Sequence, residues 1–339
     1  MTHKHIYIYS PSGAVRDKAA FRRGVSRLKA LGHQVEIDAD ALRSHQRFAG
    51  TDEVRIQAIE RAAASGADVA LITRGGYGLT RILPKLPYDA IARATESGTH
   101  WVGVSDFTAL QLGLMAHLQR THGRLGPEAV TWAGPSLGAD FGADPALATE
   151  EQPLPDDIME SCFEDLLCGL GEGTGWRVPR RDVNAVKHLA GESGGATLSI
   201  DNAVLWGGNL TVMSSLVGTP WMPSVPGGIL FLEDVGEHPY RIERMLTQLL
   251  HAGILAQQRA VLLGQFTEYK PVPHDRGFTL QTVASWLREQ LAVPTAQCPQ
   301  GIPVFTDLPF GHVPTKVLLP VGKPVELHLM GSEALMFWD

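Results

Sequence analysis

Cysteine is scarce: Cys162, Cys168 and Cys298 are the only three in 339 residues, an odd number without metal-ligand spacing. That excludes a disulfide framework as the source of stability and fits a reducing compartment. No run approaches the roughly 18 unbroken apolar residues of a membrane span. No Lys/Arg-rich stretch is present either, and the formal charge is -7. Nucleic acid and anionic membranes are therefore not expected as partners. Neither H-E-x-x-H nor C-x-x-C occurs, and no dinucleotide or P-loop fingerprint is matched, so neither metal nor nucleotide cofactor is expected. Met1 to His5 run straight into Ile6-Tyr7-Ile8-Tyr9 without the charged leader and apolar core of a secretory signal, so a cytoplasmic location is expected.

What is present is apolar content, 44% of the chain, enough for one large or two medium domains. The first part reads as an α/β domain over residues 1–137. Short strands at Ile6–Tyr9, Gln34–Ile37, Asp68–Thr73 and Trp101–Val104 alternate with helical periodicity over Lys18–Leu31 and Val54–Ser65. Such alternation predicts a parallel sheet with helices on both faces. Residues 138–185 are acidic, rich in Gly and Pro and weakly periodic apart from Ile158–Leu167, and are expected to form a linker with one helix. Residues 186–339 read as a strand-rich C-terminal α/β domain. Strands are expected at Ala196–Ile200, Ala203–Trp206, Gly228–Leu232 and Ala260–Gly264, with helices over Tyr240–His251 and Leu280–Leu291. Lys316–Pro320 and Val325–Leu329 are expected to pair as a closing pair of strands.

Four segments have residue types suited to chemistry. Thr73-Arg74-Gly75-Gly76-Tyr77-Gly78 lies where a buried strand hands over to a helix. Glycines there let backbone N–H groups approach an anion, as in an oxyanion hole. The plainer reading is a tight turn. Ser105, in Gly103-Val104-Ser105-Asp106, sits at a second strand-to-helix turn, where a serine is placed either as a nucleophile or as a helix cap. Glu233 and Asp234 follow an apolar strand, where ligands of α/β proteins meet side chains, or where a solvated loop begins. His312, after Gly311, is a candidate general base among 13 histidines. Together the four supply a nucleophile, a base, an acid to orient it and an N–H cradle.

These segments, in this order, resemble the L,D-carboxypeptidase family of serine peptidases, also called muramoyltetrapeptide carboxypeptidases, which includes the microcin C immunity proteins. The resemblance runs through Arg74–Gly78, Gly103–Thr108, Gly207-Gly208-Asn209-Leu210, Gly218-Thr219, Ile229–Glu237, Pro239–Ile242, Leu308–His312 and Leu319–Gly322. It implies Ser105 as nucleophile, Glu233 rather than Glu237 as the acid, and His312 as the base. It also implies an oxyanion hole from the N–H groups of Gly76 and Asp106, and a homodimer. Val104 stands where the family commonly has an aromatic, and Glu243 where it often has Asp. The implied reaction removes the terminal D-alanine of the murein tetrapeptide L-Ala-D-Glu-meso-diaminopimelate-D-Ala in peptidoglycan recycling. Arg74 is the expected partner of the terminal carboxylate, with Gly75 and Asn209 also expected at the substrate and Tyr240 a further candidate to shape the pocket. A second reading is an immunity-type enzyme that cleaves aminoacyl or peptidyl sulfamoyl-adenylates, with Trp176 stacking on the nucleobase. A binding protein with Ser105 as a helix cap and a nucleotide-dependent oxidoreductase are more distant readings.

Overall fold

The computed structural model describes residues 3–149, 152–190 and 197–338. The expected strand start at Ala196 lies outside the described residues, as do Met1 and Thr2 of the N-terminal reading.

By its contacts the chain forms two units, Met1–Gly171 with Pro314–Gly322, and Glu172–Val313 with Lys323–Asp339. The first unit contains β1 (His5–Tyr9), α1 (Lys18–Ala30), β2 (Gln34–Ile37), α2 (Asp52–Ala64), β3 (Val69–Ile72), α3 (Leu79–Ile82) and α4 (Tyr88–Glu96). It continues with β4 (His100–Gly103), α5 (Thr108–His122), β5 (Thr131–Ala133) and α6 (Asp157–Cys168). The second unit contains β6 (Gly173–Arg177), α7 (Arg180–Ala190), β7 (Thr197–Asn209), α8 (Leu210–Leu216), β8 (Ile229–Val235), α9 (Pro239–His251), β9 (Ala260–Thr267), α10 (Leu280–Leu291) and β10 (Val304–Phe305). β11 (Leu319–Val321) belongs to the first unit, and β12 (Pro324–Met330) and β13 (Glu333–Phe337) to the second.

The sheet of the first unit has the order β11-β5-β4-β3-β1-β2, parallel except for β11. Every residue of β3 is buried, because helices cover both faces of a parallel sheet and leave no strand position for water. Trp101 of β4 packs edge-on against Tyr9 of β1, ring centres 5.8 Å apart, and both are fully buried. Asp17 caps α1 by accepting the N–H groups of Ala19 and Ala20.

In the second unit the order is β10-β9-β8-β7-β12-β13-β6. The C-terminal half of the long β7 pairs parallel with β8, and its N-terminal half pairs antiparallel with β12. β12 alternates buried Val325, Leu327 and Leu329 with more exposed residues, the pattern of a sheet with one wet face.

Two expectations are corrected. Residues 138–185 are not a linker with one helix. They hold a π-helical turn at Leu137–Phe141, α6, β6 and the start of α7, and are shared between the units. The Gly-rich β6 has little pattern of its own and is fixed by backbone pairing with β13. Nor do the last strands pair with each other as expected. β11 joins β5 in the first unit, while β12 joins β7 and β13 in the second. Apolar content marks such segments as strands, but the edge each one covers is a tertiary matter.

The returning segment is anchored by Lys316, whose ammonium lies 2.6 Å from Asp140 with both side chains 3% exposed. Asp140 also accepts the Ser136 N–H at 2.6 Å. Removing one partner of a buried pair strands the other charge. Lys316→Met is expected to lower the unfolding free energy by about 3–5 kcal/mol, read by denaturant titration. A change below about 1 kcal/mol, the ceiling for a solvated surface pair, would mean that the pair anchors nothing.

Candidate active site

The glycine loop after β3 and the serine turn after β4 leave neighbouring parallel strands at their carboxyl ends, where α/β sheets place ligands. Val104 is extended and buried, and Ser105 then takes φ 66°. A non-glycine residue held in left-handed backbone costs on the order of 1–3 kcal/mol and persists only where its surroundings impose it. Here the surroundings are specific. Phe107 donates its N–H to the Val104 carbonyl at 3.3 Å, and its ring lies where a Cβ on Gly103 would be 2.6 Å away. The helical turn over Ser105–Phe107 and α5 both lack a side-chain cap hydrogen bond. Ser105 therefore does not serve as a helix cap.

Gly75 faces Ser105 so closely that a Cβ on it would lie 2.7 Å from the Ser105 Cβ and 2.9 Å from Oγ. Gly76 has φ 89°, a backbone that favours glycine, and its N–H donates to none of the described residues. The Asp106 N–H opens a helical turn, where N–H groups have no partner within the helix.

Two side chains that hold this arrangement escaped the sequence reading. The Asp106 carboxylate accepts the Leu79 N–H at 2.8 Å, tying the serine turn to the start of α3. Burial pushes its pKa up, against the pull of that N–H group. Arg55 is fully buried and donates from Nη1 to the carbonyls of Gly78 (2.7 Å) and Pro11 (3.1 Å), with Asp52 on Nη2 at 2.6 Å. The signal for Arg55 was available: it occupies the buried face of α2 with Ala58, Ile59 and Ala62, where a charge needs partners.

In the second unit, Glu233 is fully buried on β8 and its Oε2 lies 2.7 Å from His312 Nδ1. Glu237, by contrast, pairs with Arg241 at 3.4 Å, and Tyr240 is exposed and accepts from Arg241 at 3.1 Å. The pairing of β8 with β9 shifts register between Leu232 and Asp234, at Glu233. Such bulges re-aim side chains beside active sites. Gly311, with φ 147°, lets the histidine segment press onto β9: a Cβ there would be 2.8 Å from the Gln265 carbonyl. His312 is 24% exposed, so the ring is gripped on its Nδ1 side yet open to solvent.

Asn209, expected at the substrate, is buried and spends its amide on the acids. Nδ2 donates to Glu233 Oε1 (3.1 Å) and Asp234 Oδ1 (3.0 Å), and Oδ1 accepts the Val212 N–H that starts α8. Asp234 also accepts the N–H and hydroxyl of Thr211. Burial pushes the Asp234 pKa up, and the neighbouring Glu233 charge adds to that. Trp176 is buried within the sheet opposite Ala334, which removes the argument for it as a nucleobase platform. Among the described residues one group has ligand spacing for a metal ion, Asp201, Glu326 and His328, and it contains no residue of this site.

Residues 6–123 match the LD-carboxypeptidase N-terminal domain, and residues 202–327 match the LD-carboxypeptidase C-terminal domain. The chain belongs to the LD-carboxypeptidase family. A chain of Synechocystis sp. assigned as a carboxypeptidase is 31% identical over 94% of this chain and 90% of its own length. The murein tetrapeptide carboxypeptidase of Pseudomonas aeruginosa is 29% identical over 88% of this chain and 82% of its own. Among solved structures, the muramoyltetrapeptide carboxypeptidase from Oxalobacter formigenes matches with TM-score 0.78 and 34% identity over 99% of both chains. The microcin C7 self immunity protein, solved with glutamyl sulfamoyl guanosine, shares the fold at TM-score 0.75 and 21% identity, over 100% of this chain and 97% of its own. The LD-carboxypeptidase described here is thus a serine carboxypeptidase, with two α/β units as expected.

Gly75→Ala is expected to leave the unfolding midpoint within a few degrees while cutting kcat by about 100-fold or more, since misplacing a reacting group by 1 Å costs that much. Steady-state peptidase assays beside thermal melts would read both. A variant with wild-type kcat would show that Gly75 does not need to lie bare against the serine.

Proposed function

We propose that this LD-carboxypeptidase removes the terminal D-alanine from murein tetrapeptides through Ser105, His312 and Glu233. The observation that carries the reading is the 2.7 Å contact between His312 Nδ1 and buried Glu233. A carboxylate on Nδ1 fixes the tautomer in which Nε2 is the proton acceptor. In the working enzyme Nε2 accepts the Ser105 proton as Oγ attacks the carbonyl of the diaminopimelate residue. The oxyanion is held by the N–H groups of Gly76 and Asp106, which need no reorganisation to meet it. The imidazolium returns the proton to the departing D-alanine amine, and water then cleaves the acyl-enzyme by the reverse path. Arg74 answers the terminal carboxylate. Asn209 positions Glu233.

The substrate follows the carboxypeptidases of P. aeruginosa and O. formigenes named above, whose lengths this chain nearly spans. The free cysteines suit a reducing cytoplasm, where murein peptides are recycling intermediates. No described helix is long and apolar enough to cross a membrane.

Wild-type enzyme is expected to convert free tetrapeptide to tripeptide and D-alanine, seen by mass spectrometry, and Ser105→Ala to lose about 10⁴-fold or more in kcat. Intact tetrapeptide after incubation with wild type contradicts the substrate. Undiminished turnover by Ser105→Ala contradicts the nucleophile.

A further inference from the structure

β4, β3, β1 and β2 lie side by side and parallel, so the loops that leave them follow one another along the carboxyl edge of the sheet. The first carries Ser105. The next three carry, in order, Arg74, Arg16 and Arg47. Backbone bonds knit these loops together: Gly13 N–H to the Gly75 carbonyl (3.3 Å) and Ala14 N–H to the Arg47 carbonyl (3.0 Å). The Arg74 guanidinium fits against two glycines, where a Cβ on Gly13 would lie 2.3 Å and one on Gly76 2.9 Å from its nitrogen. It donates one long bond, 3.4 Å, to the Ala14 carbonyl.

Among the described residues none of the three arginines has a carboxylate at ion-pair distance; Asp17, beside Arg16 in the chain, is acted on by Arg22 and Arg23 of α1 instead. Burial first, and then repulsion from Arg16 and Arg47, lower the Arg74 pKa below its ordinary value. Arg47 lies over the Tyr77 ring, 5.8 Å from its centre. Beside them opens a cleft of about 250 Å³ lined by Arg16, Phe21, Arg74 and Gly138. Asp17 also lines it, but its carboxylate accepts the Ala19 and Ala20 N–H groups. Gathering three like charges against the single opposing pull of the Asp106 carboxylate on Arg74 costs stability and focuses an anion-attracting field.

We propose that Arg16 and Arg47 extend the Arg74 position into a subsite for a second substrate carboxylate, distinct from the terminal one, so that the enzyme selects polyacidic peptides. This rests on the peptide reading above. Strands are spaced about 4.8 Å apart, so Arg47 leaves the sheet roughly 14 Å from the loop of Ser105. That is about four residues of extended peptide, within reach of the D-glutamate α-carboxylate or of the carboxylate on the diaminopimelate side chain. Guanidinium groups bind either one through paired charge-assisted bonds.

Three substrates decide it: the free tetrapeptide, its D-glutamate α-carboxamide and its diaminopimelate side-chain carboxamide. Arg16 and Arg47 are exposed, so R16Q/R47Q is expected to fold, which circular dichroism verifies. On the free tetrapeptide the double variant is expected to lose about 10- to 100-fold in kcat/KM. The loss is expected in KM rather than kcat, because a contact remote from the scissile bond serves ground and transition states alike. On one of the two carboxamides the loss is expected to shrink to about threefold or less, identifying the carboxylate that is read. An undiminished kcat/KM, or the same loss on all three peptides, overturns the proposal. If wild type cleaves none of them, the tetrapeptide reading fails. Calorimetric titration of the peptides into Ser105→Ala, with and without R16Q/R47Q, then decides the subsite. Equal affinities, or no binding to either protein, overturn it.

Discussion

Holding residue 105 in left-handed backbone is the constraint around which the first unit is arranged. An L-serine does not rest there unaided. Gly103 clears space for the Phe107 ring beneath it, Gly75 clears space for the hydroxyl in front of it, and Asp106 ties the turn to the start of α3. Arg55 fixes the far end of the same loop through the Gly78 carbonyl. The glycine loop and the serine turn are therefore one object, and a side chain added to either moves both.

The second unit solves a different problem, the burial of two adjacent carboxylates. Glu233 and Asp234 repel each other in a poorly solvated place, which is costly unless donors answer them. Asn209 supplies one amide N–H to each, Thr211 supplies two donors to Asp234, and His312 completes Glu233. An amide is suited to this because it carries two donors and no charge. The register shift in β8 and the open backbone of Gly311 bring the imidazole to the acid without displacing the strand.

Much of this was legible in the chain. The parallel sheet of the first unit follows from strand–helix alternation, and ordered motifs single out Ser105, Glu233 and His312 as the candidate residues. The roles of Asp106 and Asn209 were only partly legible. Only the N–H of Asp106 was expected to act, and Asn209 was expected at the substrate; the carboxylate and amide contacts were not legible, because sequence names a residue without saying where its side chain points. Residues 138–185 and the last strands misled for a related reason. β6 and β11 are short, and what makes them strands is the edge they join, β13 for one and β5 for the other. Trp176 invited a ligand role from its place in the expected interdomain region, but its indole is packed away from solvent.

The proposed mechanism requires His312 to take the Ser105 proton. The rate at which a fluorophosphonate labels Ser105, followed by intact mass and peptide mapping, tests it without reference to any natural substrate. Wild type is expected to be labelled at Ser105, and His312→Ala to be labelled at least about 100-fold more slowly, the usual weight of general-base assistance. Equal rates in the two proteins, or label on another residue, would contradict it.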